Sequence, residues 1–365
     1  MKEWRDKVAV VLGTRPEAVK RRGVIRLLDD HAVVVHTGQH YSDNLAASFL
    51  EEIGLSGPDL GFDIGGMTRA AQIGTATVKL AGCLEQRSPA ALMVHGDTNS
   101  SLAGVLAANA VGVPLAHVEA GLRSYDRAMP EEPNRVLVDH LSDLCCAPTE
   151  TSRRNLKAEG IAGQRVVVTG NTVVDAALEF APRGDEQTTT LNDLELVANG
   201  YVLATFHRPE NVDDMTTLRI VLDQLRRLPL PVLLPLHPRT KRRLDDAGAS
   251  RLLDSLVVER PAGYQRFLTL MAGAALVVPD SGGVQEEASV LKRPVIVVRN
   301  STERPEVIGT FSTLVNPGPE IGSEAARVLE NIDGHLDHLS HIVCPYGDGH
   351  ASEHTVAAIR HLVAS

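Results

Sequence analysis

Short apolar runs recur along this chain, each followed by turn residues and then by a longer stretch with helical spacing. In the first half they fall at 8–12, 32–36, 91–95, 113–118, 144–147 and 166–169. In the second half they fall at 201–206, 232–236, 256–259, 275–279, 295–298 and 313–315. Continuous apolar strands imply sheets buried on both faces, and strands separated by helices imply parallel pairing. The pattern predicts two Rossmann-like α/β domains facing each other across a cleft, with about six strands in each. A polar stretch at 181–199 separates the halves. The expected domains are 1–175 and 176–351, with an amphipathic helix at 352–365 packing back on the first. No internal repeat is visible.

Ligands of such sheets sit at the carboxyl ends of strands, near helix N-termini. After 8–12 comes Gly13-Thr14-Arg15-Pro16-Glu17-Ala18-Val19-Lys20. The glycine permits a tight turn, and Pro16 suits the first turn of a helix. Arg15 and Lys20 beside free backbone N–H groups would make an anion site suited to phosphate. The spacing is neither a Walker loop nor GxGxxG. An exposed first turn with two solvated cations explains the same residues equally well.

After 275–279 comes Asp280-Ser281-Gly282-Gly283, opening a helix that carries Glu287. Ser281, Gly282 and Gly283 suit a backbone nest for a diphosphate, and Glu287 could accept from ribose hydroxyls. A plain helix cap is the alternative, weakened by the two adjacent glycines. In the first half, Asp97, Glu119 and Glu131 follow successive strands, Glu131 after a short loop. Several carboxylates in one crevice can hold different pKa values, which separate acid and base roles require. Taken singly, each is more often a helix cap. His207 and His237 end successive strands of the second half, where histidine or arginine would neutralise a diphosphate. Nothing requires a metal; a set of Asp97, His117 and Glu119 is conceivable, but His117 lies within an apolar run.

Composition narrows the partners. The 365 residues carry a net charge of −10, which argues against nucleic acid and anionic membranes. Aromatics are 3%, with Trp4 the single tryptophan, too few for stacking platforms. No run reaches the ~18 apolar residues of a membrane helix, and the run from Val8 is too short for a signal-peptide core. Cys83, Cys145, Cys146 and Cys344 contain no CxxC and suit neither a disulfide framework nor a zinc cluster. A cytoplasmic protein is expected.

The stretches 13–20, 37–40, 94–98, 117–124, 130–135, 169–175, 207–211, 280–288, 302–306 and 345–353 run in order through nearly the whole chain. In them the chain resembles the UDP-N-acetylglucosamine 2-epimerase family, the bacterial non-hydrolysing branch and its relatives. The resemblance implies a GT-B fold, a homodimer, no cofactor, and a nucleotide bound mainly by the second domain. It implies inversion at C2 of the amino sugar by anti-elimination of UDP, a 2-acetamidoglucal intermediate, and return of UDP after reprotonation on the opposite face. By resemblance, Asp97, Glu119, Glu131 and His207 are catalytic. Arg15, Lys20, Arg135, His237, Ser281, Gly282, Gly283 and Glu287 bind substrate.

There are departures. Gln39 is followed by His40-Tyr41-Ser42 where the family's activator motif has glutamines three apart, and Arg69 is near a supporting arginine but out of register. Arg21, Arg22 and Gly23 stand where apolar residues are usual, and Cys344 and His354 where Asn and Arg are usual. The alternatives are a hydrolysing 2-epimerase that releases N-acetylmannosamine and UDP, an epimerase for a modified UDP-amino sugar, a GT-B glycosyltransferase, and a non-catalytic nucleotide-sugar sensor.

Overall fold

The computed structural model describes residues 4–39 and 49–364; His40, Tyr41 and Ser42 lie outside them. Every predicted run forms a strand, and all are parallel. The first sheet holds β1 (Val8–Leu12), β2 (Ala32–His36), β3 (Leu60–Gly61), β4 (Ala91–His95), β5 (Leu115–Val118), β6 (Leu144–Ala147) and β7 (Val166–Val168), in the order β3-β2-β1-β4-β5-β6-β7. The second holds β8 (Val202–Thr205), β9 (Val232–Pro235), β10 (Val257–Glu259), β11 (Leu276–Pro279), β12 (Val295–Val298) and β13 (Ser312–Val315), in the order β10-β9-β8-β11-β12-β13. The additional edge strand, β3, is only two residues long, too short to leave an apolar run. Each sheet is a separate parallel α/β layer of Rossmann-like order.

Strand order fixes where chemistry can sit. The first sheet reverses direction of growth between β1 and β4, the second between β8 and β11. Loops leaving those strands diverge and open a crevice at the carboxyl ends. They are the loops that carry Gly13–Lys20 and Gly96–Asp97 in one sheet, and His207 and Asp280–Gly283 in the other.

The chain divides into two compact units. One runs to Ala176 and takes the chain back from Tyr346; the other is Ala177–Pro345. The polar stretch at 181–199 is not bare linker: it forms a helix at Glu186–Asn192, and Leu191 and Leu196 are buried in the second core. The terminal helix Ala351–Ala364 belongs to the first unit. Its Ala351 and Ser352 N–H groups donate to Asp175 at 3.2 and 2.7 Å. Ser352 also packs where a side chain on Gly23 would stand, so the glycine lets the two helices approach.

The segment after β5 is clamped from beneath. His117 Nδ1 lies 2.7 Å from Asp139, and its Nε2 lies 3.0 Å from the Gly96 carbonyl. Asp139 also accepts from the Gly121 N–H at 3.1 Å and pairs with Arg123 at 2.7 Å. Burial works to raise the Asp139 pKa, but His117 and Arg123 outweigh it and hold the carboxyl below its ordinary value. Both His117 nitrogens are engaged, so this histidine serves the fold and not a metal. Removing one partner of such a set strands the other charges. Asp139→Ala should therefore cost about 3–5 kcal/mol in urea unfolding; a loss under about 1 kcal/mol would remove the clamp from the account.

Candidate active site

The loop after β1 is built on one carboxylate. Glu17, buried in the first turn of helix Arg15–Leu28, accepts the N–H groups of Gly13 and Thr14, each at 2.7 Å. It also accepts from Thr98 Oγ at 2.9 Å and Arg21 at 3.1 Å. Gly13 must be glycine because a Cβ there would strike Ser100. Sequence reasoning gave Glu17 no role, although Thr14-x-x-Glu17 is a capping box. The turn separates the two cations that looked alike in sequence. Arg15 is exposed, its guanidinium 4.9 Å above the Phe49 ring. Lys20 is buried and pairs with Glu119 at 2.7 Å, so for Lys20 the solvated-cation reading is excluded.

Glu119 stands at the end of β5 with φ +69°, a left-handed backbone rare outside glycine. Besides Lys20, its carboxylate meets His95 Nε2 at 3.2 Å and accepts from Asn171 at 3.3 Å. Burial lowers the His95 pKa to about 4, so the imidazole is neutral at pH 7. A side chain on Gly96 would come within 3.1 Å of the Glu119 carboxylate, which places Glu119 directly against the backbone that leads to Asp97.

Asp97 is partly exposed and its Oδ2 lies 2.5 Å from Arg135. Arg135 is itself fixed by Glu132 at 2.8 Å. Glu132 in turn accepts the N–H groups of Ser124 and Tyr125, and burial, which opposes this, is outweighed, so its pKa is lowered. Asn134 donates to the Asp97 carbonyl at 2.7 Å, and Arg69 donates to Asn134 at 2.7 Å and to the Pro130 carbonyl at 2.8 Å. Arg69 thus secures the start of helix Glu131–Leu141. Glu131 opens that helix, half-buried, and among the described residues its side chain makes no hydrogen bond or ion pair. Gln39 is buried, its amide oxygen accepting from Ser100 Oγ at 2.7 Å.

In the second unit the organising group is Asp280, fully buried at the end of β11. It accepts the N–H groups of His207 and Arg208, each at 2.8 Å, and meets His207 Nδ1 at 2.9 Å. Burial works to raise the Asp280 pKa; the bonds and charge of His207 and the backbone donors prevail and lower it. The carboxylate thus orients the His207 ring, leaving Nε2 on the opposite side. His237 lies alongside, ring centroids 5.3 Å apart, and its Nδ1 caps the helix Pro238–Asp246 through the Arg239 N–H.

Ser281 is the N-cap of helix Gly282–Val290 and makes no side-chain cap bond. Gly282 packs on Glu303 and Arg304, so a Cβ would collide there, whereas a Cβ on Gly283 would meet open space. Behind them Arg304 pairs with Glu303 at 2.5 Å and Glu286 at 3.0 Å, and Arg299 with Glu303 at 2.9 Å. Glu287 is buried near Tyr264, whose phenol burial and this carboxylate push well above its ordinary pKa. The structure therefore gathers Lys20, Asp97, Glu119 and Arg135 in one unit, with Glu131 on the helix that bears Arg135. It gathers His207, His237, Ser281, Gly282, Gly283 and Glu287 in the other. Sequence reasoning missed Glu17, His95, Asn171 and Asp280 as the groups that hold them. Among the described residues no three metal-binding side chains converge. Of the later departures, Cys344 Sγ lies 3.3 Å from Ser289 Oγ, and His354 Nδ1 3.2 Å from the Thr169 carbonyl.

Acids paired with cations beside one strand switch, and an open helix N-terminus flanked by an oriented histidine beside the other, suit a nucleotide-sugar enzyme of the GT-B class. The chain belongs to the UDP-N-acetylglucosamine 2-epimerase family, whose model matches residues 27–360. It is 37% identical over 363 residues to the UDP-N-acetylglucosamine 2-epimerase of Methanocaldococcus jannaschii, covering 96% of this chain and 98% of that one. It is 36% identical over 331 residues to the UDP-2,3-diacetamido-2,3-dideoxy-D-glucuronate 2-epimerase of Pseudomonas aeruginosa, covering 88% and 91%. The solved M. jannaschii enzyme in complex with UDP-GlcNAc and UDP superposes with a TM-score of 0.88, covering 97% and 99%.

His95 makes a pH prediction. Its folded pKa, about 4, lies below the 6.5 of an unstructured histidine, so the unfolded chain takes up the proton first. Stability from this group is whole above about pH 6.5 and is lost as pH falls toward 4. Between about pH 7 and about pH 4.5 the stability advantage of the unmodified chain over His95→Gln should shrink by about 2 kcal/mol in urea melts. A constant difference would show that His95 is not held neutral.

Proposed function

We propose that this chain interconverts UDP-N-acetylglucosamine and UDP-N-acetylmannosamine without net hydrolysis. The observation that supports this most is the pair of ion contacts, Lys20–Glu119 buried and Arg135–Asp97 partly exposed at the aspartate, on adjacent backbone in a chain of this family. Removal of an unactivated C2 proton needs a carboxylate, and return of a proton to the opposite face needs a second group. Asp97, Glu119 and Glu131 fill these roles. The C1–O bond electrons leave with UDP, whose diphosphate His207 and the Ser281-Gly282-Gly283 turn hold, with Glu287 at the ribose. His237 adds charge there, and Lys20 and Arg135 hold Glu119 and Asp97 in place. A sensor that only binds a diphosphate gains nothing from three carboxylates nearby. The M. jannaschii relative covers more of the chain than the diacetamido-glucuronate relative, which supports the N-acetylglucosamine nucleotide as substrate. A homodimer in the cytoplasm completes the reading, supported by the family resemblance; light scattering at working concentration tests the dimer.

Incubation with UDP-N-acetylglucosamine in heavy water is the direct test. The expected product is UDP-N-acetylmannosamine, with deuterium at C2 of both sugars. Free UDP with free amino sugar means hydrolysis, and absence of exchange rejects the elimination. Asp97→Asn and Glu131→Gln should each lower kcat by about 10²–10⁴-fold while UDP affinity changes less than about twofold. Unmodified rates in both would remove these residues from the chemistry.

A further inference from the structure

Arg21 is fully buried and, with Arg299, among the largest fully buried side chains of the described residues. Its Nη2 donates to Glu17 at 3.1 Å and to the His95 carbonyl at 3.4 Å. Its Nε and Nη1 are buried and, among the described residues, make no hydrogen bond. An apolar side chain of similar length would fill this place without desolvating a charge, so folding alone gives no reason for an arginine. Burial lowers its pKa, but only to about 10, and Glu17 and Glu119 oppose the shift. It is therefore a cation at neutral pH.

The surroundings are few. Glu17 and Lys20 come from its own helix, His95 from the end of β4, and Glu119 from the end of β5. On the helix Ala351–Ala364, the group packed against Gly23 is the uncharged Ser352. His95 is neutral. Two cations thus balance two carboxylates in a space nearly closed to water. Without Arg21 the set carries one net negative charge, and in low dielectric such charge is relieved by protonating an acid. Protonation at Glu119 would break its pairing with Lys20; protonation at Glu17 would loosen its hold on the Gly13–Thr14 turn.

We propose that Arg21 is a positioning residue for the reaction: a buried guanidinium that balances Glu17 and Glu119 from beneath and so maintains the Lys20–Glu119 ion pair. The proposal rests on the epimerase reading for its kinetic arm only. R21M and R21K, with R21Q in reserve should R21M not fold, are compared with the unmodified enzyme across the pH range. In R21M the acid limb of kcat/KM should move up by about one pH unit and kcat at neutral pH should fall about tenfold. UDP affinity should stay within about twofold, and R21K should restore the limb. An unmoved limb in R21M, or R21K displaced as far as R21M, overturns the proposal. A purely packing role would lower the melting temperature and leave the limb in place. An activity-independent arm follows glutamate carboxyl-13C signals, with the Glu119 signal assigned by its absence in Glu119→Gln. In R21M the Glu119 or the Glu17 signal should titrate at higher pH; both unchanged would reject the charge balance even if the enzyme proved to act on another sugar.

Discussion

Glu119 is the point on which the candidate site depends. A left-handed backbone on a non-glycine residue costs of order 1–2 kcal/mol, and burying a carboxylate costs more. Both are tolerated because Lys20, His95 and Asn171 surround the carboxylate and the Asp139 clamp holds the loop two residues beyond. The geometry leaves little slack. Gly96 allows the carboxylate to lie against the strand end, and that same backbone delivers Asp97 to Arg135. The position of one acid is thereby tied to that of the next.

The same device recurs. Glu17, Glu132 and Asp280 are buried carboxylates, each accepting two backbone N–H groups from the loop after a strand, and buried Asp139 accepts one. Loops at strand ends have backbone donors with no ladder partner, and a buried anion satisfies several at once. A clamp of this kind makes a loop rigid where a site needs rigidity. At Asp280 it does a second task, since one carboxylate oxygen fixes the His207 backbone while the other meets its ring.

Continuous apolar runs made the strands legible, because strands buried on both faces carry no alternation to misread. The exceptions are physical. β3 pairs through two residues and leaves no run, and β5 starts at Leu115 because Pro114 has no N–H to give the ladder. Which residues follow each strand was also legible, and so were most candidate side chains. Pairing was not. Arg15 and Lys20 sit five residues apart on one helix, yet only Lys20 reaches Glu119, 99 residues away. Nothing local in sequence encodes that partner. Glu17 is the opposite case: its capping-box spacing was visible, and its further bonds to Thr98 and Arg21 were not.

Arg21, Arg22, Gly23, Cys344 and His354 lie behind the candidate site more than in it. Arg21 lies beneath Glu17 and Glu119; Arg22 donates to the Ile53 carbonyl; Gly23 makes room for Ser352. Cys344 and His354 contact Ser289 and the Thr169 carbonyl, which belong to the helix after Asp280 and the segment that leads to Asn171. Substrate choice is set by groups that touch the sugar and nucleotide, whereas the proton affinity of buried acids is set by charge and burial around them. Changes confined to the backing layer leave the first largely alone and act on the second. By this logic substitutions at 21–23, 344 and 354 should change how the rate depends on pH before they change what is turned over.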